Sequence, residues 1–133
     1  MDLIHFAVSL DVDSSVARLK AAAASVPMWL VAHIDGQANC AKMGLAVPAA
    51  QVLEIFRPDY AARVWAADKR AGIDIPIRIF VCENEGRTWV TCRMPSVVFR
   101  PYGHAALTAL GTELDAIFAT IFAALDEVRE ATT

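Results

Sequence analysis

A chain of 133 residues falls inside the ~100 to 200 residues usual for one domain. Residues 1–133 read as a single domain, in which roughly two thirds of the unfolded-chain surface leaves water, so no disulfide or metal staple is required. Hydrophobic residues make up 56% and charged residues 20%, too little polar surface to cover the outside, which predicts an apolar patch buried in a partner, most economically another copy of the chain. The formal net charge is −3 and Lys and Arg gather into no basic stripe, which argues against nucleic acid as a partner.

Leu3 to Leu10 alternates weakly and reads as a first strand. Asp2 precedes this short apolar run, and no basic region or small-residue cleavage site flanks it, so it does not read as a signal peptide. Asp11, Asp13 and Ser14 offer N-cap oxygens to a first helix, whose Val16, Leu19, Ala23 and Val26 fall on one face. Pro27 ends it. MWLVAHI, mostly apolar, reads as a second and central strand. It hands His33, Ile34 and Asp35 to a small-residue turn carrying Cys40 and Lys42, the usual place for a site built on a rigid scaffold. Gly36 and Gly44 bracket QANCAKM, a short helix or a wide turn. After Pro48, Val52, Leu53, Ile55 and Phe56 make a third strand that Arg57 and Pro58 close. DYAARVWAADKRA is a helix capped by Asp59, with Ala62, Trp65 and Ala66 as its inner side and Gly72 as its stop.

IDIPIRIFVCENEGRTWVTCR predicts an antiparallel hairpin, with Gly86 where the turn wants positive φ. Ile77, Ile79 and Val81 share a face of one arm; Thr88, Val90 and Cys92 share a face of the other. MPSVVFRPYGH reads as an irregular connection. From Ala105 a long helix carries Leu107, Leu110, Leu114, Ile117, Phe118, Ile121, Leu125 and Val128 three and four apart. Phe122 widens that stripe, so part of it is expected to face a partner subunit, and the polar tail VREATT is expected to fray. No apolar run approaches the ~18 residues of a membrane span. Three cysteines, Cys40, Cys82 and Cys92, form no C-x-x-C pair, which fits a reducing, cytoplasmic compartment. The order of elements predicts an α+β fold in two layers, a mainly antiparallel sheet with helices packed on one face and a long C-terminal helix.

Three segments, SSVARLKAAA, WLVAHIDGQANCAKMGLAVPAAQVLEIFRP and AGIDIPIRIFVCENEGRTWVTCRMP, follow one another in an order and spacing that resembles the bacterial and archaeal family of domain of unknown function 302. The resemblance covers nearly the whole chain. It implies a compact α+β fold similar to the TATA-binding-protein-like architecture, often in dimers, with no settled activity. Members commonly read Phe-Gly-Asn-Pro at the end of strand three, whereas this chain reads Phe56, Arg57, Pro58 and lacks the glycine turn.

The polar groups support several readings. His33 and Asp35, two apart on a strand, point the same way, so Asp35 can orient the imidazole; alternatively Asp35 caps the turn at Gly36. A lysine near Cys40 lowers a thiol pKa and makes a nucleophile, whereas small buried cysteines are commoner. His5, His33 and His104 offer nitrogen ligands but lie on separate elements without an H-x-H or H-x-x-x-H signature. Arg57, Arg78, Arg93 and Arg100 stand near strand ends or on the connection after the hairpin, where two converging forks would clamp a carboxylate or phosphate, or would simply protect sheet edges. No G-x-S-x-G, P-loop, G-x-G-x-x-G or H-E-x-x-H is present.

These readings combine into an expected homodimeric module that binds a small anionic or partly apolar ligand between sheet and helix, through His33, Asp35, Arg57, Arg93, Arg100 and His104. Two alternatives stand beside it. One is a thiol- or metal-dependent enzyme or redox protein using Cys40 with His33; the other is a purely structural interaction protein. No cofactor is assigned, and neither nucleic acid nor a membrane is an expected partner.

Overall fold

Helices and strands alternate along the chain as β1 (Ile4–Val8), α1 (Val12–Ser25), β2 (Trp29–Asp35), α2 (Gly36–Ala41), β3 (Ala50–Phe56), α3 (Pro58–Ala67), β4 (Ile77–Asn84), β5 (Arg87–Cys92), α4 (Pro95–Phe99) and α5 (Ala105–Ala123) in a computed structural model that describes residues 2–131. The five strands form one antiparallel sheet in the order β1-β5-β4-β3-β2. The α+β class and the long C-terminal helix follow the sequence expectation.

Period-two patterning decides which face is covered. Phe6 and Val8, Leu53 and Ile55, Ile77, Ile79 and Val81, and Val90 and Cys92 are all buried on one side of the sheet. Against them lie Val16 and Leu19 of α1 and the stripe Leu107, Leu110, Leu114, Phe118 and Ile121 of α5. By length and composition α5 could cross a membrane; here that stripe fills the core. Asp11 starts α1 by accepting from the Ser14 amide at 2.7 Å. The β4–β5 turn has only Glu85 and Gly86 at its tip, at φ 53° and 76°, the left-handed pair that a two-residue hairpin turn demands.

Several expectations are corrected. β2 is not central but an edge strand, and none of its residues is buried; its apolar content reflects something other than burial inside this fold. The inner side of α3 is Tyr60 and Val64, while Ala62, Trp65 and Ala66 are exposed. Phe122 faces no partner: it is 7% exposed and meets the Phe6 ring edge-on at 6.1 Å. The tail does not fray through Glu130. Ser9 donates to the Val128 carbonyl and Glu130 to that of Ala7, both at 2.8 Å, so the chain end lies along β1; Thr132 and Thr133 lie outside the described residues. Residues 95–102, expected to be irregular, form α4 and a 3-10 turn. The helix α3 ends at Ala67, ahead of Gly72, and a second 3-10 turn spans Lys69–Asp74.

Candidate functional site

The hairpin turn fixes the register of β4 and β5, setting Ile79 opposite Cys92 and Phe80 opposite Thr91. Arg78 near the start of β4 and Arg93, the first residue after β5, are thereby both carried to the same end of the strand pair, and both are exposed. Asp2, Leu3, Ile73, Asp74, Val97, Val98 and Pro101 complete a groove of about 460 Å³ around the two arginines, with Phe80 and Thr91 as its sheet wall.

The charges in this groove are unevenly matched. Its two acids are engaged: Asp74 accepts the Tyr102 hydroxyl, which holds that phenol above its usual range, and Asp2 lies 3.6 Å from Arg100. Arg78 stands 4.0 Å from Glu54, the outer limit of an ion pair, and its side chain is 71% exposed. Arg93 has no carboxylate partner among the described residues. Two like charges lining one groove repel each other. A carboxylate or phosphate between the two forks would reverse that sign and accept from both. Thr91 is held beside them by His5, whose Nδ1 lies 2.7 Å from the threonine hydroxyl and whose ring stacks on Trp89.

The other predicted site residues lie elsewhere. His33 and Asp35 sit on the β2 edge strand, separated from the groove strands by β3. Asp35 caps α2 through the Ala38 amide at 2.9 Å. Gln51, not Asp35, orients the imidazole. Its Nε2 donates to Asp13 at 2.7 Å, which turns its Oε1 toward His33 Nε2, also at 2.7 Å. An amide oxygen only accepts, so His33 carries a proton on Nε2. Gln51 is one of the few buried polar side chains, and no sequence pattern pointed to it, because its two partners come from α1 and β2.

Arg57 is fully committed: it makes a bidentate pair with Asp59 at 2.7 and 2.9 Å, donates to the Pro27 carbonyl at 2.6 Å and covers the Tyr60 ring. That pair holds the Asp59 carboxyl below its usual range. Arg57 also borders a second, strongly apolar cleft of about 350 Å³ lined by Trp29, Val31, Trp65 and Pro76. His104 accepts from the Ala106 amide through Nδ1 at 3.1 Å and caps α5. His5, His33 and His104 are on three separate elements, and no cluster of three His, Cys, Asp or Glu forms among the described residues. Burial pushes the Cys92 thiol up to about 12, an inert group, and raises Cys82 as well. Cys40 is half-buried on α2, its carbonyl accepting from Met43 and Leu45.

Of the six residues expected at one site, the groove contains Arg93, with Arg100 on its rim through Asp2. Arg78 joins them, a residue the sequence pointed to only as one of four arginines near strand ends.

The architecture defines a class, an α+β domain of one antiparallel sheet backed by helices, with a groove lined by two arginines and two aspartates. The sequence model of the family described as domain of unknown function DUF302 matches residues 4–128, and the chain belongs to that family. It is similar to the crystal structure of the uncharacterized conserved protein DUF302 from Bacillus stearothermophilus, with a TM-score of 0.81 and 20% identity over 97% of this chain and 99% of that one. At that identity the likeness is one of fold. No curated protein matches the chain.

Proposed function

We propose that this chain is a non-catalytic, cytoplasmic, homodimeric module that binds a small anionic ligand with an apolar portion in the Arg78–Arg93 groove. The observation that carries the reading is the pair of arginines lining one groove, one without a carboxylate partner among the described residues, set beside apolar Phe80, Val97 and Val98. A ligand of that chemistry seats its acid between the guanidinium forks and its hydrocarbon on the apolar wall, which is how small-molecule sites divide affinity from orientation. The free thiols of Cys40, Cys82 and Cys92 support a reducing compartment.

Isothermal titration with octanoate, octyl phosphate and inorganic phosphate tests it. The two amphiphilic anions are expected to bind more tightly than phosphate, and Arg93→Ala to weaken them about tenfold or more, as loss of a charged hydrogen-bonding partner does. Because Arg93 has no carboxylate partner among the described residues and shares the groove with Arg78, the melting temperature of the unliganded R93A variant should stay level or rise. A variant that loses stability while the affinity is unchanged would show that Arg93 is structural.

A further inference from the structure

The apolar cleft bordered by Arg57 has no part in the anion site. Its volume of about 350 Å³ lies within the range of small-molecule sites. Trp29 of β2 and Trp65 of α3 both line it, 59% and 50% exposed, and large apolar side chains exposed together around a concavity mark a binding surface. Separate devices hold the walls in place. Phe56, opposite Trp29 in the β2–β3 register, is 2% exposed and ties that side of the cleft to the core. Val31 is the unpaired residue of the bulge between Leu30 and Ala32, the kind of irregularity that re-aims a strand side chain beside a site. Trp65 rests against Gly72, where a Cβ would stand 2.9 Å from the indole Nε1 and 3.1 Å from Cδ1, so glycine is what lets the ring lie there. Pro58 and Pro76 add backbone whose φ is fixed.

We infer that this cleft is a second ligand site, which takes an uncharged, flat ring compound, of the size of a fused bicycle, held against the indoles of Trp29 and Trp65. Charge decides the occupant. Arg57 is the only ionic residue lining the cleft, and its guanidinium is already engaged by Asp59, the Pro27 carbonyl and the Tyr60 ring. Every other lining residue is apolar or glycine. An anion would give up its hydration here and find no free donor fork, and a cation would meet the positive Arg57; either carries a desolvation cost that a neutral molecule does not. The indoles decide the shape, because a flat ring buries most area against them and gains the stacking geometry that aromatic faces favour. The site is distinct from the Arg78–Arg93 groove in both chemistry and lining, although Pro76 borders the two, and it does not rest on the anion reading.

Isothermal titration of the full chain with coumarin, an uncharged fused bicycle, tests the assignment. The wild type is expected to bind it with a Kd below about 1 mM. Trp29→Ala and Trp65→Ala should each weaken binding about tenfold, the share of one ring contact with its buried area. Gly72→Ala should also weaken it, by displacing the Trp65 ring. Both tryptophans are at least half exposed, so their removal leaves the core intact, and far-UV circular dichroism verifies the fold of each variant. Saturating octyl phosphate should not displace coumarin, and W65A should bind octyl phosphate as the wild type does. A wild type that takes up no coumarin overturns the inference, as does equal affinity in the wild type, W29A and W65A. Displacement of coumarin by octyl phosphate would make cleft and groove one site and overturns it too. Binding of coumarin without any binding of octyl phosphate upholds the cleft and removes the anion reading alone.

Discussion

Gln51 shows how much a single residue can organise without being visible as a motif. Its amide is buried at 5% exposure and satisfied at both ends, by Asp13 of α1 and His33 of β2. It therefore ties the first helix to the edge strand through β3. Gln51→Leu keeps the volume but leaves an aspartate and a histidine without their partner, and a loss of about 1 to 2 kcal/mol is expected by chemical denaturation. Since His33 then loses its hydrogen-bond partner, its ring NMR chemical shifts should move toward those of a histidine free of side-chain hydrogen bonds; unchanged shifts would mean that Gln51 does not hold the ring. The sequence offered Asp35 as the orienting group, since two residues on a strand share a face. Asp35 instead satisfies the first turn of α2, a local bond available as soon as the chain turns. Side-chain pairing across three elements cannot be read from one sequence, whereas an N-cap can.

At the scale of elements, legibility tracks how local the deciding interaction is. The β4–β5 hairpin was legible in full, because a two-residue turn with Gly86 sets its own register, and that register is what carries Arg78 and Arg93 to the same end of the strand pair. The α5 stripe was legible for the same reason of periodicity. Strand β2 was not, because apolar composition reports that a surface leaves water and says nothing about which surface covers it. In α3, alanines at 62 and 66 around Trp65 suggested one face while Tyr60 and Val64 occupied another, and small residues fit either side equally well. The contact between α4 and α5 is a close-packed element pair that the sequence marks only by a glycine. A Cβ on Gly111 would stand 2.7 Å from the Ser96 Cα, a backbone atom that cannot rotate away. Asp115 fixes that backbone further by accepting from the Ser96 amide at 2.9 Å. Gly111→Ala gains roughly 1 kcal/mol of helix propensity but forces the helices apart at a cost of about 1 to 3 kcal/mol. The expected net effect is a lower melting temperature, and a rise would show that α4 yields without strain.

For the molecule as a whole, the ionisable groups define a stability profile with two arms. Asp11, Asp59, Asp68 and Glu113 all sit below their usual range in the folded state, through hydrogen bonds from Ser14, Arg57, Arg70 and Arg63 respectively. Each contribution is complete above the unfolded carboxylate value near about 4 and is lost as pH falls through the lower folded value. These pairs are at the surface, so the acid arm should be shallow and should weaken further in high salt. The alkaline arm has the opposite origin. Burial raises Cys92 to about 12, so the unfolded thiol ionises first, and stability present below an unfolded value of roughly 8.5 to 9 is lost as pH rises toward the folded one. Cys82, raised by burial, and Tyr102, raised by its bond to Asp74, add to the same arm. Melting temperatures measured from pH 3 to 11 should show a plateau between about 5 and 8 with a decline on either side. Cys92→Ala removes the most strongly shifted of the three, and it should move the onset of the alkaline decline to higher pH while leaving the acid arm in place. An alkaline arm identical in wild type and C92A would place the loss on Cys82 and Tyr102 rather than on Cys92.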